Sequence, residues 1–505
     1  MTLSHPPSIQ SEKLSPLAAQ LAFGVALALG ALLRLFNLGA DQLHFDEALS
    51  VFIAQGSLSE VLWKNIVHNS SPPFMVLALR QMLQLGQSEI MVRLLPAVAG
   101  IATIALVYRI ARYLSTPNMA AVAALFYAIS PAHVSLSRQF RIYEIGCFFA
   151  AVAIVACFEF CRQPTIWRAM GVSLAILCGT QVQYGLALLF AAMIVVLAVF
   201  MWSARFPVRQ SLLYGGMIAA SLAAGVVIVY FTALQGQFYA GRGSSYLKLL
   251  GDSLIPNVGR TALRTLELGE LGFPSGIFVF LLGLGLAVRL QKSKTDFAGL
   301  LLVCSLGMVA VLGLMKFYPY GPVRQCLFLT VLMYPVVVIG LERVVSWIPG
   351  RMSWWLVLWF FAVAAQPGVV GSLREAVARP EPSNFAAALR QINREFREGD
   401  ILLVGPGAYP HFLYYGKDFH HPWVRSEKSE AWMSDERAWG NLAQNPPYLE
   451  QIETLKRSHQ RVWLLFSFRL PGELELHEIA AQRGWKAPQF RTLMSSPKVH
   501  VSLYQ

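Results

Sequence analysis

AMGVSLAILCGTQVQYGLALLFAAMIVVLAVFMWSA, Ala169–Ala204, contains no Asp, Glu, Lys or Arg. A helix crosses the roughly 30 Å of bilayer hydrocarbon with about 20 apolar residues, so this run is too long for one span and has the makings of two. Its middle, Gly179-Thr180-Gln181-Val182-Gln183-Tyr184-Gly185, is polar and bounded by glycines, and supplies the turn between them. A charge-free hairpin of this kind belongs in lipid, and it sets the terms for the rest of the chain.

Outward from it, apolar runs of similar length recur at 17–36, 90–112, 118–136, 142–161, 168–182, 184–203, 211–233, 272–289, 297–315, 325–341 and 353–371. The composition agrees: 55% of residues are hydrophobic and 14% charged, against about 25% charged in soluble domains. The expected fold class is a polytopic α-helical membrane protein of about eleven transmembrane helices. A small C-terminal α/β extracytoplasmic domain follows, with the membrane domain at 1–371 and the soluble domain at 372–505. The first apolar run ends in Arg34 and lacks a small-x-small cleavage pattern, so it reads as a retained helix. In the soluble part, Asn384–Phe396 and Glu473–Gln482 have helical periodicity, while Ile401–Val404 and Arg461–Phe466 read as buried strands.

The net charge is +13, but basic and acidic residues nearly balance from Ser372 onward. The excess therefore flanks the apolar runs, which fits membrane topology and not a nucleic-acid surface. Short, densely basic connections hold Arg109/Arg112, Arg162/Arg168, Arg205/Arg209, Arg289/Lys292/Lys294 and Arg343/Arg351. By the positive-inside rule they are cytoplasmic, as is the N-terminus, and the C-terminal domain is extracytoplasmic. The six cysteines lie in or beside the apolar runs and form no Cys-x-x-Cys pair, so neither a zinc site nor a disulfide framework is indicated.

Two outer connections are long, 37–89 and 234–271. The first opens with Asp41-Gln42-Leu43-His44-Phe45-Asp46-Glu47-Ala48. Acids there suit the first turn of a helix through its dipole. They equally suit a carboxylate at the membrane edge that takes a proton from an acceptor hydroxyl or amine. The loop continues through Trp63-Lys64-Asn65 and His68-Asn69-Ser70-Ser71-Pro72-Pro73-Phe74, where two prolines stop one helix before another. Phe74–Leu85 is apolar but too short to span, and suits an interfacial or re-entrant helix.

Elsewhere, Arg138 and Arg141 sit with Tyr143 at the outer edge of the third and fourth runs, where arginines either snorkel to headgroups or bind a lipid phosphate. Lys316-Phe317-Tyr318-Pro319-Tyr320-Gly321-Pro322-Val323-Arg324 is aromatic and basic against the positive-inside trend. Arg324, at the start of a helix, is expected to face a polar cavity. Tyr239–Tyr246, with glycines around Arg242, reads as a flexible loop or a lid. Gly405-Pro406-Gly407 is a turn, and His44 and His133 look isolated.

A retained helix, then Asp-Glu, a long amphipathic loop, Pro-Pro, and Glu89-x-x-x-Arg93-Leu94-x-Pro96 opening the second span occur in an order that resembles the GT-C membrane glycosyltransferases. The branch is that of the protein O-mannosyltransferases and the lipid A aminoarabinose transferase, glycosyltransferase family 39. The likeness is best over the first 160 or so residues. It implies Asp46 as catalytic carboxylate with Glu47 as supporting neighbour. Donor phosphate would be held by Arg138, Arg141 and Arg324, with Tyr143, Lys64, His68 and Tyr320 as further donor contacts. Many members have Lys or His before Pro-Pro where this chain has Ser71, which turns attention to His68 and Lys64. An Asp common in that branch is here Tyr143, with Glu144 the nearest acid, and this leaves the acceptor class open.

The resemblance implies an inverting glycosyltransferase of a bacterial inner membrane. It would move a sugar from a polyprenyl-phosphate donor to an envelope lipid, glycan or protein acceptor, among membrane lipids and without nucleic acid. A divalent cation, Mg or Mn, is an option at Asp46 and Glu47. The rival classes are a lipid or glycan transporter or flippase, and a non-catalytic subunit of polysaccharide assembly. Transporters usually show repeats and broken helices with charges at mid-membrane. Here the charges gather at one face.

Overall fold

The structure is a computed structural model. It describes residues 16–69, 71–239, 275–293, 296–315, 317–318, 324–347, 370, 373, 377, 385–405, 407–425, 446–458, 461–466, 490–495 and 500–504. The expected span at 353–371, most of the 234–271 loop, Lys316, Tyr320, Pro406 and the helix at Glu473–Gln482 lie outside the described residues, apart from the single position 370.

Helix α1 (Pro16–Leu35) leads into three short helices, α2 (Phe45–Ala54), α3 (Leu58–His68) and α4 (Phe74–Leu85). The bundle continues with α5 (Glu89–Leu114), α6 (Pro117–Ile129), α7 (Pro131–Ser137), α8 (Ile142–Arg162), α9 (Ile166–Thr180), α10 (Leu186–Ser203) and α11 (Val208–Val229). A π-turn (Tyr230–Leu234) carries α11 into α12 (Gln235–Tyr239). Next come α13 (Ser275–Lys292), α14 (Phe297–Leu314), a 3₁₀ turn (Arg324–Leu329) and α15 (Thr330–Ser346). Seven described helices are long and apolar enough to cross a membrane, and α6 and α7 together pass the same test but bend by 56°. Ser130-Pro131 makes that bend, because the proline removes an amide donor and starts a new helix at its first position. Two more expected spans, α9 and Ile277–Gln291 of α13, are apolar helices shorter than the rest. Ten of the expected spans are thus helices, and the protein is a multi-pass membrane protein.

The bundle core is one apolar cluster running from Ala26 of α1 to Leu341 of α15. At one end of the bundle the basic connections are tied together. Arg109 and Arg168 pair with Glu159, Ser115 donates to Glu342 at 2.6 Å, and Arg289 pairs with Asp296. At the opposite end lie α2, α3, α4, the α7–α8 connection and the start of α15. The expected helix at Phe74–Leu85 is α4, and with α2 and α3 it makes the 37–89 connection a compact helical cap. Gly56, at φ +113°, makes the turn between α2 and α3, a backbone conformation that favours glycine.

The C-terminal part is α/β. Helix α16 (Phe385–Glu395) precedes β1 (Asp400–Val404), α17 (Tyr409–Tyr415), β2 (Trp423–Arg425), α18 (Pro446–Ser458), β3 (Arg461–Phe466), β4 (Phe490–Ser495) and β5 (His500–Tyr504). The sheet order is β2-β1-β3-β5-β4. β1 is parallel to β2 and β3, with Ile401 opposite Val462, while β5 is antiparallel to β3 and β4. The central strands read as continuous apolar runs because both faces are covered. Phe385, Ala388, Leu389 and Ile392 of α16 pack on Leu402, Val404, Trp463 and Leu465. Asp400 at the edge of β1 accepts from Arg461 Nε at 2.8 Å and from Trp463 Nε1 at 2.9 Å, which satisfies a carboxylate that would otherwise be buried at a cost.

Candidate active site

Asp46 and Glu47 stand side by side in the first turn of α2 and point into different surroundings. About 100° of rotation separates neighbours on a helix, and here that rotation decides their chemistry. Glu47 is fully buried. Its carboxylate accepts from Arg93 Nε at 3.0 Å and Nη2 at 2.8 Å, from the His44 amide at 2.7 Å and from the Phe140 amide at 2.8 Å. Burial works to raise its pKa, but Arg93 and the two amides outweigh burial and hold the carboxyl below its usual range. Arg93 also donates to the carbonyls of Leu38, Asp41 and Gln42, at 3.0, 3.0 and 2.9 Å. Glu47 is thus the anchor of the segment that leads into α2. Both of its oxygens already accept hydrogen bonds, so the option of a divalent cation held by Asp46 and Glu47 together does not fit the carboxylates as they are placed.

Asp46 keeps a third of its side chain exposed. It pairs with Arg141, whose side chain is mostly buried, and His44 Nδ1 lies 3.8 Å from it. Arg141 is the residue that caps the N-terminal end of α8. Its Nε is buried with no hydrogen-bond partner among the described residues. Burial first, and then the positive charge of Arg324, pull the Arg141 pKa down to about 10. The Arg324 guanidinium sits 5.4 Å from the centre of the Tyr143 ring, within cation–π range. Asp46, Arg141, Tyr143 and Arg324 are thereby brought together from three separate parts of the chain. Two guanidiniums that repel each other beside one carboxylate form a place where an anion is stabilised.

The remaining expected residues sit elsewhere. Arg138 donates to the carbonyls of Leu33, Arg34, Phe36 and Asn37, at 2.7 to 3.4 Å. It closes the C-terminal end of α1, where unpaired carbonyls and the helix dipole favour a cation. That replaces its expected part in phosphate binding. Lys64 donates to Gln55 O at 3.0 Å and lies over the Phe52 ring at 4.7 Å, tying α3 to the end of α2. His68 is buried against the same ring. Both build the helical cap. Ser71, in the place before Pro-Pro, accepts through its carbonyl from Asn65 and Gln237, each at 3.2 Å.

Sequence reasoning passed over a buried polar network behind this site. His133, expected to be isolated, has Nδ1 3.0 Å from Glu144 Oε2 and Nε2 2.9 Å from Thr330 Oγ1. Tyr127 donates to Glu144 Oε1 at 2.7 Å. Arg34, fully buried, donates to the Ala128 carbonyl at 2.9 Å. The network joins α7 and α8, next to Arg141, to Thr330 at the start of α15, one 3₁₀ turn after Arg324. Ligand atoms of His133, Glu144 and Cys147 lie within 4.8 Å of one another, but hydrogen bonds already occupy both His133 nitrogens and both Glu144 oxygens. The sequence signal was Arg34 itself, a charge in the last turn of an apolar helix.

Comparison with known proteins agrees with this architecture. Residues 70–231 match the family described as dolichyl-phosphate-mannose-protein mannosyltransferase. No curated protein sequence matches the chain. Among solved structures, ArnT from Cupriavidus metallidurans bound to undecaprenyl phosphate superposes with a TM-score of 0.56 at 13% identity, covering 97% of this chain and 98% of that one. The Archaeoglobus fulgidus oligosaccharyltransferase in its apo form gives 0.54 at 12% identity, over 94% of this chain and 72% of that one. The same archaeal enzyme in complex with an inhibitory peptide and a dolichol-phosphate gives 0.52 at 12% identity, over 93% and 72%. At these identities the likeness is one of fold.

Proposed function

For this chain, which has the GT-C fold of membrane glycosyltransferases, we propose inverting transfer of a sugar from a polyprenyl-phosphate donor to an envelope acceptor on the extracytoplasmic side. The observation that carries the reading is the meeting of Asp46 with Arg141, Tyr143 and Arg324 at one end of the bundle. A carboxylate that can take a proton is paired with Arg141, and Arg324, near enough to act on Arg141, is a second cation that can receive a phosphate. The sidedness is supported by the other end, where the short basic connections lie. The donor class is supported by the mannosyltransferase family match and by neighbours whose structures hold undecaprenyl phosphate or a dolichol-phosphate.

In the proposed reaction the donor tail lies among the helices and the sugar lies at the end of the bundle that carries α2. Donor phosphate draws Arg141 away from Asp46, which leaves the carboxylate able to accept a proton from the acceptor hydroxyl or amine. The acceptor atom attacks the anomeric carbon from the face opposite the phosphate, and the bond from that carbon to the phosphate oxygen breaks with inversion. Polyprenyl phosphate leaves with the bonding pair. Arg141 and Arg324 stabilise the charge that gathers on it, at a site built before the reaction starts. Arg93 and Glu47 keep the first turn of α2 in place, and Arg138 holds the end of α1.

The test is a transfer assay in membranes supplied with radiolabelled polyprenyl-phosphate sugars, comparing wild type with Asp46→Asn and Arg324→Ala. Asp46→Asn is expected to abolish transfer with donor binding retained, and Arg324→Ala to weaken donor binding at least tenfold. An active Asp46→Asn enzyme removes Asp46 as base. Labelled lipid that changes leaflet without transfer to any acceptor would replace the transferase reading with a flippase.

A further inference from the structure

The C-terminal domain does not stand clear of the membrane bundle. Its helix α17 lies on α2, and the contact centres on Leu43, three residues before Asp46. Leu43 is completely buried, in a segment without regular secondary structure, so its backbone groups must find partners outside a helix or sheet. Both find them on α17. The Leu43 amide donates to the Tyr415 hydroxyl at 2.8 Å, and the Leu43 carbonyl accepts from His411 Nε2 at 3.0 Å. Since a carbonyl only accepts, His411 carries its proton on Nε2. The imidazole is fixed in turn by stacking on Phe385, with ring centres 5.2 Å apart. The Phe385 amide, where α16 begins, donates to the Gln42 side chain at 2.6 Å. Tyr414 donates to the Gln87 carbonyl at 2.7 Å, just before α5.

The division of labour along the segment is clean. Arg93 of the bundle holds the carbonyls of Leu38, Asp41 and Gln42, and α17 holds both backbone groups of the next residue. The first turn of α2 is therefore gripped from the membrane domain on one side and from the C-terminal domain on the other. Asp46 and its contact with Arg141 lie within that turn. A displacement of about 1 Å at such a position is enough to slow a reaction substantially.

We propose that the C-terminal domain acts on the transfer reaction through α17, with His411 and Tyr415 as positioning residues that hold Leu43 and so set the place of Asp46. The proposal rests on the reading of Asp46 as the base. Neither residue touches the reacting groups. Their effect reaches the chemistry through the backbone of residues 43 to 46, while the phosphate-binding arginines sit on other elements. Loss of the grip therefore lowers turnover and leaves the donor KM nearly unchanged.

Full-length protein in lipid nanodiscs tests this by hydrogen–deuterium exchange and by transfer kinetics. Tyr415→Phe keeps the ring and removes the acceptor oxygen, and His411→Leu removes the donor. Each is expected to speed exchange at residues 43–47 about tenfold, with the spans unchanged, and to lower kcat about tenfold with donor KM within twofold. His411→Gln, which restores a side-chain N–H, is expected to recover both readouts. Tyr414→Phe, which loses the Gln87 contact alone, is expected to leave kcat within twofold. Unchanged exchange at 43–47 in Tyr415→Phe, or faster exchange with unchanged kcat, would overturn the proposal. The exchange arm needs no activity. If Asp46→Asn proves active, the base assignment fails, while exchange still decides whether α17 grips the segment.

Discussion

At the scale of single residues, the two adjacent carboxylates of α2 make opposite predictions. Glu47 is buried against Arg93, and breaking a buried pair by removing one partner leaves an uncompensated charge that costs about 3–5 kcal/mol. Glu47→Gln is accordingly expected to lower stability by that order, read as an earlier midpoint in thermal or denaturant unfolding. Asp46→Asn, at a partly exposed pair, is expected to shift the midpoint little and to remove transfer. Equal loss of stability in both variants would contradict the assignment of roles. The pH sign for Glu47 follows from its depressed pKa. Its contribution is present above the ordinary carboxylate range and is lost as pH falls through the lowered value. Asp46 was legible in the sequence as a carboxylate at a helix start. The inward turn of Glu47 was not, since its partner lies 46 residues away and only packing brings Arg93 to it.

At the scale of elements, close helix contacts depend on particular glycines. A Cβ on Gly340 of α15 would lie 2.0 Å from the Leu281 carbonyl oxygen, and one on Gly285 of α13 would lie 2.1 Å from the Val336 carbonyl oxygen. Backbone cannot yield as a side chain can, so α13 and α15 would have to separate. Gly340→Ala is expected to destabilise the protein by on the order of 2–3 kcal/mol, measured as a lower unfolding midpoint in detergent or nanodisc. Gly283→Ala, on α13 two residues before Gly285 and with nothing within 4 Å, is expected to be neutral or to stabilise by up to about 1 kcal/mol through helix propensity. The apolar runs announced these helices. Which glycine faces a neighbouring backbone depends on helix rotation, and a run that is apolar all round carries no periodic signal for it.

At the scale of the whole molecule, the seam between the C-terminal domain and the helical cap is expected to respond to pH. Burial in that seam pulls the His411 pKa down to about 4, from an ordinary value of about 6.5. His44 and Glu47 are the titratable groups that act on it across the contact. With the pKa depressed in the docked state, the undocked state binds more protons as pH drops below 6.5. Docking is therefore at full strength above pH 6.5 and weakens progressively down to about pH 4, by about 3 kcal/mol in all. Amide exchange of residues 38–47 at pH 7.5 and at pH 5, corrected for intrinsic rate, checks this. Protection should fall in the wild type and stay flatter in His411→Gln.

The sequence by itself determined that this chain is a multi-pass membrane protein with an α/β C-terminal part, because apolar length and charge density report directly on the solvent each segment can tolerate. Motif order carried the resemblance to the GT-C transferases and pointed to the first loop. The helix at Phe74–Leu85 was legible in that loop, while the packing of its helices into a cap, the seam with α17 and the polar network of His133, Glu144 and Thr330 were decided by tertiary structure alone. Charge and spacing place an arginine at a membrane edge, but they do not say whether its guanidinium meets an open cavity or the end of a neighbouring helix. Arg138 and Arg141 lie three residues apart and read alike in the sequence. Packing sent Arg138 to the carbonyls of α1 and Arg141 to Asp46, because α1 ends beside one and α2 begins beside the other.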